Sequence, residues 1–142
     1  KYYSIAFRRY RNDILRDNLL VITADTIVWH NGKVLGKPKD RREAIEMLTE
    51  LSGDSHIVYT GVCVRTKDKE VSFFTESEVF FDELTSSEIE YYVDNYKPYD
   101  KAGSYGIQEW IGYVGVKRIE GSYFNIMGLP IQRLYKELKR FE

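Results

Sequence analysis

The sequence is short of residues that anchor common chemistries: it has one cysteine, two histidines and three prolines in 142 residues. A lone cysteine cannot close an internal disulfide, and with no Cys/His cluster there is no zinc pattern. Cys63, inside the apolar alternation "IVYTGVCVR", is expected in the core. No apolar run approaches the ~18 residues of a membrane span, and "KYYSIAFRRYRN" lacks the apolar stretch of a signal peptide. A cytoplasmic protein with no membrane partner is the expectation. Neither charge sign is in excess. A formal net charge of -1 excludes a general binder of nucleic-acid backbones, yet a few lysines in one cleft still suit a small anion. Internal repeats, low-complexity segments and linkers are absent too, and the length suits one domain.

Apolar periodicity supplies the elements. "IAFRRYRNDIL" (5–15) reads as an amphipathic helix. "NLLVITAD" (18–25) is a continuous apolar run, which suits a strand covered on both faces and ending in Asp25. Asn31-Gly32 marks a tight hairpin. Asp40 with Glu43, and Thr85 with Glu88, form capping boxes that open two helices. Ala44, Ile45, Leu48 and Leu51 face inward on the first. Ile89, Tyr92, Val93 and Tyr96 form the buried stripe of the second, so the tyrosines around 91–99 have a packing role. "HIVYTGVCVRT" and "EVSFFTESEVFF" predict a long β-hairpin in which Val71, Phe73, Val79 and Phe81 share the core face. "IGYVGVKRI" reads as a further strand and "GLPIQRLYKELKRF" as a terminal helix. The pattern predicts one α/β domain with a mixed, twisted sheet flanked by helices.

Three places are locally odd. Asp25 ends an apolar run, where a carboxylate can hold Mg²⁺ or orient water; it can equally cap a turn through Thr26. Gly36-Lys37-Pro38-Lys39 restricts the backbone around Lys37 and so aims an ammonium suited to phosphate oxygens, although a solvated surface lysine fits the same residues. "DKAGSYGIQ" (100–108) combines Lys101, two glycines and Gln108, an amide able to meet a base edge; taken alone it is a connector, and it lacks the P-loop order. His30 and His56 read as turn or strand-end residues. Glu76 and Glu78 read as a solvated face, and Asp100 as a partner for Lys101.

Taken in order, "ITADTIV…GKVLGKPKD", "LSG…H…YTGV", "DKAGSYGIQ" and "IEGSYFNIMGLP" resemble the Maf family of nucleoside triphosphate pyrophosphatases, from about residue 18 to the C-terminus. The resemblance implies a Maf/ITPase-like fold with a ligand cleft between two lobes, and cleavage of a triphosphate between its α and β phosphates with Mg²⁺ or Mn²⁺. By that likeness Asp25 is the general base and a metal ligand, and Lys37 is the phosphate-contacting lysine. Thr26 and Gln108 would set base selectivity, Lys101 would bind substrate, and Arg9 would stand where the family usually has a lysine. "Ala-Asp-Thr" and "Tyr-Gly-Ile-Gln" resemble the branch acting on dTTP and UTP rather than 7-methyl-GTP. A homodimer is expected. So is absence of the family's opening strand and its Ser-x-Ser-Pro-Arg-Arg-like loop, about the first quarter of the domain, since no such motif occurs here. The alternative is a nucleotide-binding regulator of septum formation that does no chemistry.

Overall fold

The computed structural model describes residues 19–142; the helix expected over 5–15, and Arg9 with it, lie outside the described residues. The described chain forms a five-stranded sheet in the order β2-β1-β3-β4-β5. β1 is Val21–His30, β2 Lys33–Leu35, β3 Ser55–Arg65, β4 Glu70–Phe81 and β5 Val116–Glu120. The helices are α1 (Arg41–Leu51), α2 (Ser86–Tyr96), α3 (Trp110–Gly115), α4 (Tyr123–Met127) and α5 (Ile131–Leu138). The α/β class is as expected. Every pairing among the described residues is antiparallel, so no parallel pair makes this part of the sheet mixed.

The expected stop at Asp25 is wrong. β1 runs on to His30, and the hairpin ends it: Asn31 and Gly32 both take positive φ, 48° and 78°, as a two-residue turn requires. Two-sided burial is wrong as well. Ile22 and Ala24 are exposed, and from Thr26 onward only the even-numbered residues turn inward, towards Val28 and His30. The apolar run is long because both faces of a half-covered strand carry aliphatic residues.

Strand alternation is clean elsewhere. His56, Val58, Thr60, Val62 and Val64 point inward from β3, which leaves Cys63 half-buried on the opposite face rather than in the core. Val79 and Phe81 are fully buried on β4, and Phe73 packs against Val62 and Val64. On α1, Ala44, Met47, Leu48 and Leu51 are buried, and Ile45 packs at the edge. On α2, Ile89, Tyr92 and Val93 are buried; Tyr96 is instead 38% exposed and stacks on Tyr92 at 5.1 Å. Each such aliphatic or aromatic side chain contributes about 1.5–3 kcal/mol by leaving water.

Both helix starts are capped as read. Asp40 Oδ1 accepts from Glu43 N at 2.9 Å, although Glu43 reaches back to Lys39 N rather than to Asp40. Thr85 and Glu88 form the full reciprocal box. The strand expected over "IGYVGVKRI" begins only at Val116, because residues 110–115 form α3. Ile111 and Gly115 are its buried pair, one helical turn apart, and Gly112 lies so close to Ile107 that a Cβ would meet its carbonyl oxygen at 1.9 Å. α4 had no signal in apolar periodicity; Ser122 caps it and Gly128, at φ 114°, ends it.

The end of β1 is fixed by charge. Buried His30 places Nδ1 3.0 Å from Glu50 Oε1 and Nε2 2.9 Å from Asp54 Oδ2, and Lys33 Nζ lies 2.9 Å from Glu50 Oε2. With a carboxylate at each ring nitrogen, the imidazole must carry both protons. Burial works against that charge, but the two carboxylates outweigh it and raise the His30 pKa above its ordinary 6.5. His30 in turn holds Glu50 and Asp54 below their usual values of 4.5 and 3.8. A raised histidine stabilises fully below its unfolded value and loses that contribution as pH climbs through the native one. The carboxylates stabilise above their unfolded values and lose it as pH falls. The cluster should therefore contribute most between 4.5 and 6.5. Melting curves of wild type and His30→Gln should differ most between pH 4.5 and 6.5 and draw closer as pH rises above that window.

Candidate active site

The β1–β2 hairpin sends the chain back along β1, with Val28 opposite Leu35. Residues after Leu35 therefore return towards those before Val28, and Asp25, Thr26 and Lys37 line one cavity of 280 Å³. Val28 and Val58 lie beneath it on the sheet. The 100–107 loop forms one side, with Lys101 and Tyr105, and α4 supplies Ile126 and Met127 on the other.

Asp25 lies mid-strand, opposite Gly61 of β3. One carboxylate oxygen, Oδ1, accepts from Thr26 N at 3.0 Å, which fixes its direction without any turn. Lys37 is exposed between Gly36 and buried Pro38, and makes no ion pair among the described residues. Lys101 differs. Its Nζ lies 3.0 Å from Asp100 Oδ1, the pairing expected from sequence, and 3.1 Å from Glu109 Oε1. Burial opposes its charge, yet these hydrogen bonds outweigh burial and raise its pKa; the ammonium likewise lowers that of Asp100.

The loop is pinned at three points. Gly103 N donates to Gly36 O at 3.1 Å, joining the Lys101 segment to the Lys37 segment. Gly103 has φ 69° and sits so near Val28 that a Cβ would stand 2.9 Å from Cγ2, so only glycine fits without strain. Gly106 N donates to Tyr92 Oη at 3.0 Å. Tyr105 Oη meets His56 Nε2 at 2.6 Å. Burial, with His30 nearby, lowers the His56 pKa to about 4, and burial raises that of Tyr105, so both are neutral near pH 7.

α4 is held by a buried polar hub that sequence reading did not single out. Asn125 Nδ2 donates to Val58 O at 3.1 Å and to Ser77 Oγ at 3.0 Å, and Oδ1 accepts from Thr75 Oγ1 at 2.6 Å. Thr60 Oγ1 lies 2.9 Å from Asn125 O and 2.8 Å from Thr26 Oγ1, which carries the network to the cavity edge. An inward-facing threonine among the valines of β3 was the available signal for Thr60. Asn125, inside a five-residue helix, offered none.

Of the residues expected at the site, Asp25, Thr26, Lys37 and Lys101 line the cavity together. Gln108 does not; it is exposed in the following turn, while its neighbour Ile107 lines the cavity. Arg9 lies outside the described residues. Among the described residues no three His, Cys, Asp or Glu side chains gather as a metal cage. Nor is any helix there long and apolar enough to cross a membrane.

Residues 3–141 match the model of a family described as Maf-like protein. A dTTP/UTP pyrophosphatase of Bacteroides thetaiotaomicron is 62% identical over 131 residues, covering 92% of this chain and 67% of that protein. One from Bacteroides fragilis is 64% identical over 121 residues, covering 85% and 63%. One from Porphyromonas gingivalis is 54% identical over 128 residues, covering 90% and 64%. The chain spans about two thirds of the length of the curated relatives it matches. Since the family match runs nearly from one end of the chain to the other, the protein belongs to the Maf family.

Proposed function

We propose that the intact protein is a nucleoside triphosphate pyrophosphatase acting in the cytoplasm on dTTP and UTP, releasing the monophosphate and pyrophosphate. One observation carries this reading: Asp25 and Lys37, brought from separate segments by the hairpin, line a single cavity. The names of the relatives point to the same chemistry and the same bases.

In this reading the triphosphate lies along the side bearing Asp25, Lys37 and Lys101, and the base lies towards Thr26 and Met127. Asp25 accepts a proton from a water as that water's oxygen bonds to the α phosphorus. The bond from that phosphorus to the bridging oxygen breaks, and its electron pair leaves with pyrophosphate. Lys37 makes no ion pair among the described residues and feels Asp100 only at a distance, so its ammonium can meet the charge that grows on the leaving group. Lys101 is already shared by two carboxylates and serves in binding. Mg²⁺ or Mn²⁺ would neutralise the phosphate oxygens, and a single carboxylate plus substrate oxygens is an ordinary donor set for Mg²⁺, so Asp25 fits that role without a cage.

Pyrophosphate release from dTTP, UTP and 7-methyl-GTP, with Mg²⁺ and with Mn²⁺, tests the proposal on the intact protein. Turnover of the two pyrimidine nucleotides above 7-methyl-GTP is expected. Tight nucleotide binding with no turnover under either metal would overturn it in favour of a regulator.

A further inference from the structure

The cavity edge carries a hydroxyl whose polarity is set from behind. Thr60 Oγ1 is buried and lies 2.9 Å from the carbonyl oxygen of Asn125, a group that only accepts. Were the Thr60 proton turned elsewhere, two oxygens would face each other at that distance with lone pairs opposed. The single proton of Thr60 is therefore committed to Asn125. Thr26 Oγ1 stands 2.8 Å from the same Thr60 oxygen, so Thr26 must be the donor in that contact. Its own single proton is then spent, and the face it turns to the cavity is a lone pair.

Asn125 has no freedom to reverse this. Its Nδ2 meets the carbonyl of Val58, which settles the amide orientation, and Oδ1 takes the Thr75 hydroxyl. Gly128 N also donates to Asn125 O at 3.0 Å. A Cβ on Gly128 would stand 3.5 Å from Thr26 Oγ1, so the glycine leaves the hydroxyl uncovered.

We infer that Thr60 and Asn125 are positioning residues for ligand choice. They hold Thr26 as an acceptor, and the cavity therefore favours a ring with an N–H at the edge that meets it, as the imide of uracil or thymine has. Cytosine, whose ring nitrogen at that place carries a lone pair, is disfavoured. This rests on the proposed pyrophosphatase reading.

Thr60→Val keeps the shape but removes both the proton and the acceptor, and Thr60→Ser keeps both. The kcat/KM for UTP over that for CTP should fall about tenfold or more in Thr60→Val, chiefly through KM, and stay within about threefold of wild type in Thr60→Ser. A purely structural role would lower both substrates alike, so an unchanged ratio in folded Thr60→Val overturns the inference. Should wild type turn over no triphosphate, the pyrophosphatase reading falls on that result. The polarity is then decided by proton NMR of wild type. A slowly exchanging Thr26 hydroxyl proton directed at Thr60 sustains it, and a Thr60 hydroxyl proton directed at Thr26 overturns it.

Discussion

Asp25→Asn should lower kcat for pyrophosphate release by about 100- to 10,000-fold while leaving the melting temperature near that of wild type. The asymmetry follows from where Asp25 sits. Its backbone is paired with Gly61 inside a continuous ladder, and its side chain is exposed, so the core does not depend on its charge. Asparagine keeps the size and can still accept from Thr26 N, but it is a very poor base. A fall in kcat with KM little changed identifies a group used in the chemical step. An unchanged rate would remove Asp25 from that role. A melting temperature that dropped along with the rate would make the loss structural.

Asn125→Leu should have the largest effect on stability, about 3 kcal/mol or more. The change takes a donor from the carbonyl of Val58 and from Ser77 Oγ, and the acceptor from the hydroxyl of Thr75, all in buried or half-buried surroundings. Each such loss costs about 1–3 kcal/mol, and leucine's added apolar contact only partly offsets them. Urea titration followed by circular dichroism measures it. The same variant should lose activity, because α4 supplies Ile126 and Met127 to the cavity. A variant as stable as wild type would mean that α4 is held by its apolar contacts rather than by the hub.

The parts of the fold that periodicity could see were legible. The Asn31-Gly32 hairpin and the Thr85–Glu88 box rest on interactions between near neighbours in sequence, and the long β3–β4 pair grows outward from one short turn. What misled was exposure. The run ending in Asp25 reads as doubly buried because Leu19, Leu20 and Ile22 are apolar, yet all three remain more than a third exposed. Cys63 went to the wrong face for a related reason: alternation fixes which residues share a side, not which side is covered. α3 was hidden because Ile111 and Val114 suit a strand as well as a helix, and the close approach of Gly112 to the Ile107 carbonyl five residues back leaves no mark in apolar periodicity.

Site residues followed the same division. Asp25, Lys37 and Lys101 were legible because charge beside glycine or after an apolar run is unusual, and the likeness of four ordered segments gave them roles. Thr60 and Asn125 were not, since their importance lies in partners far along the chain. Thr60 meets Asn125 across 65 positions, and Asn125 meets Val58 across 67. No local pattern encodes such a pairing.

The two kinds of carrier in the cavity differ in how far each can be moved. Asp25 rides on a strand whose ladder pairs it with Gly61 of β3, so its place shifts only if the sheet does. Lys37 and Lys101 ride on connecting segments joined by one amide, Gly103 to Gly36. The grip on the phosphates is therefore to be retuned in residues 36–39 and 100–109, apart from Gly103, where exchanges leave the ladder intact. The choice of base is to be altered instead at Thr26 and at Thr60 behind it.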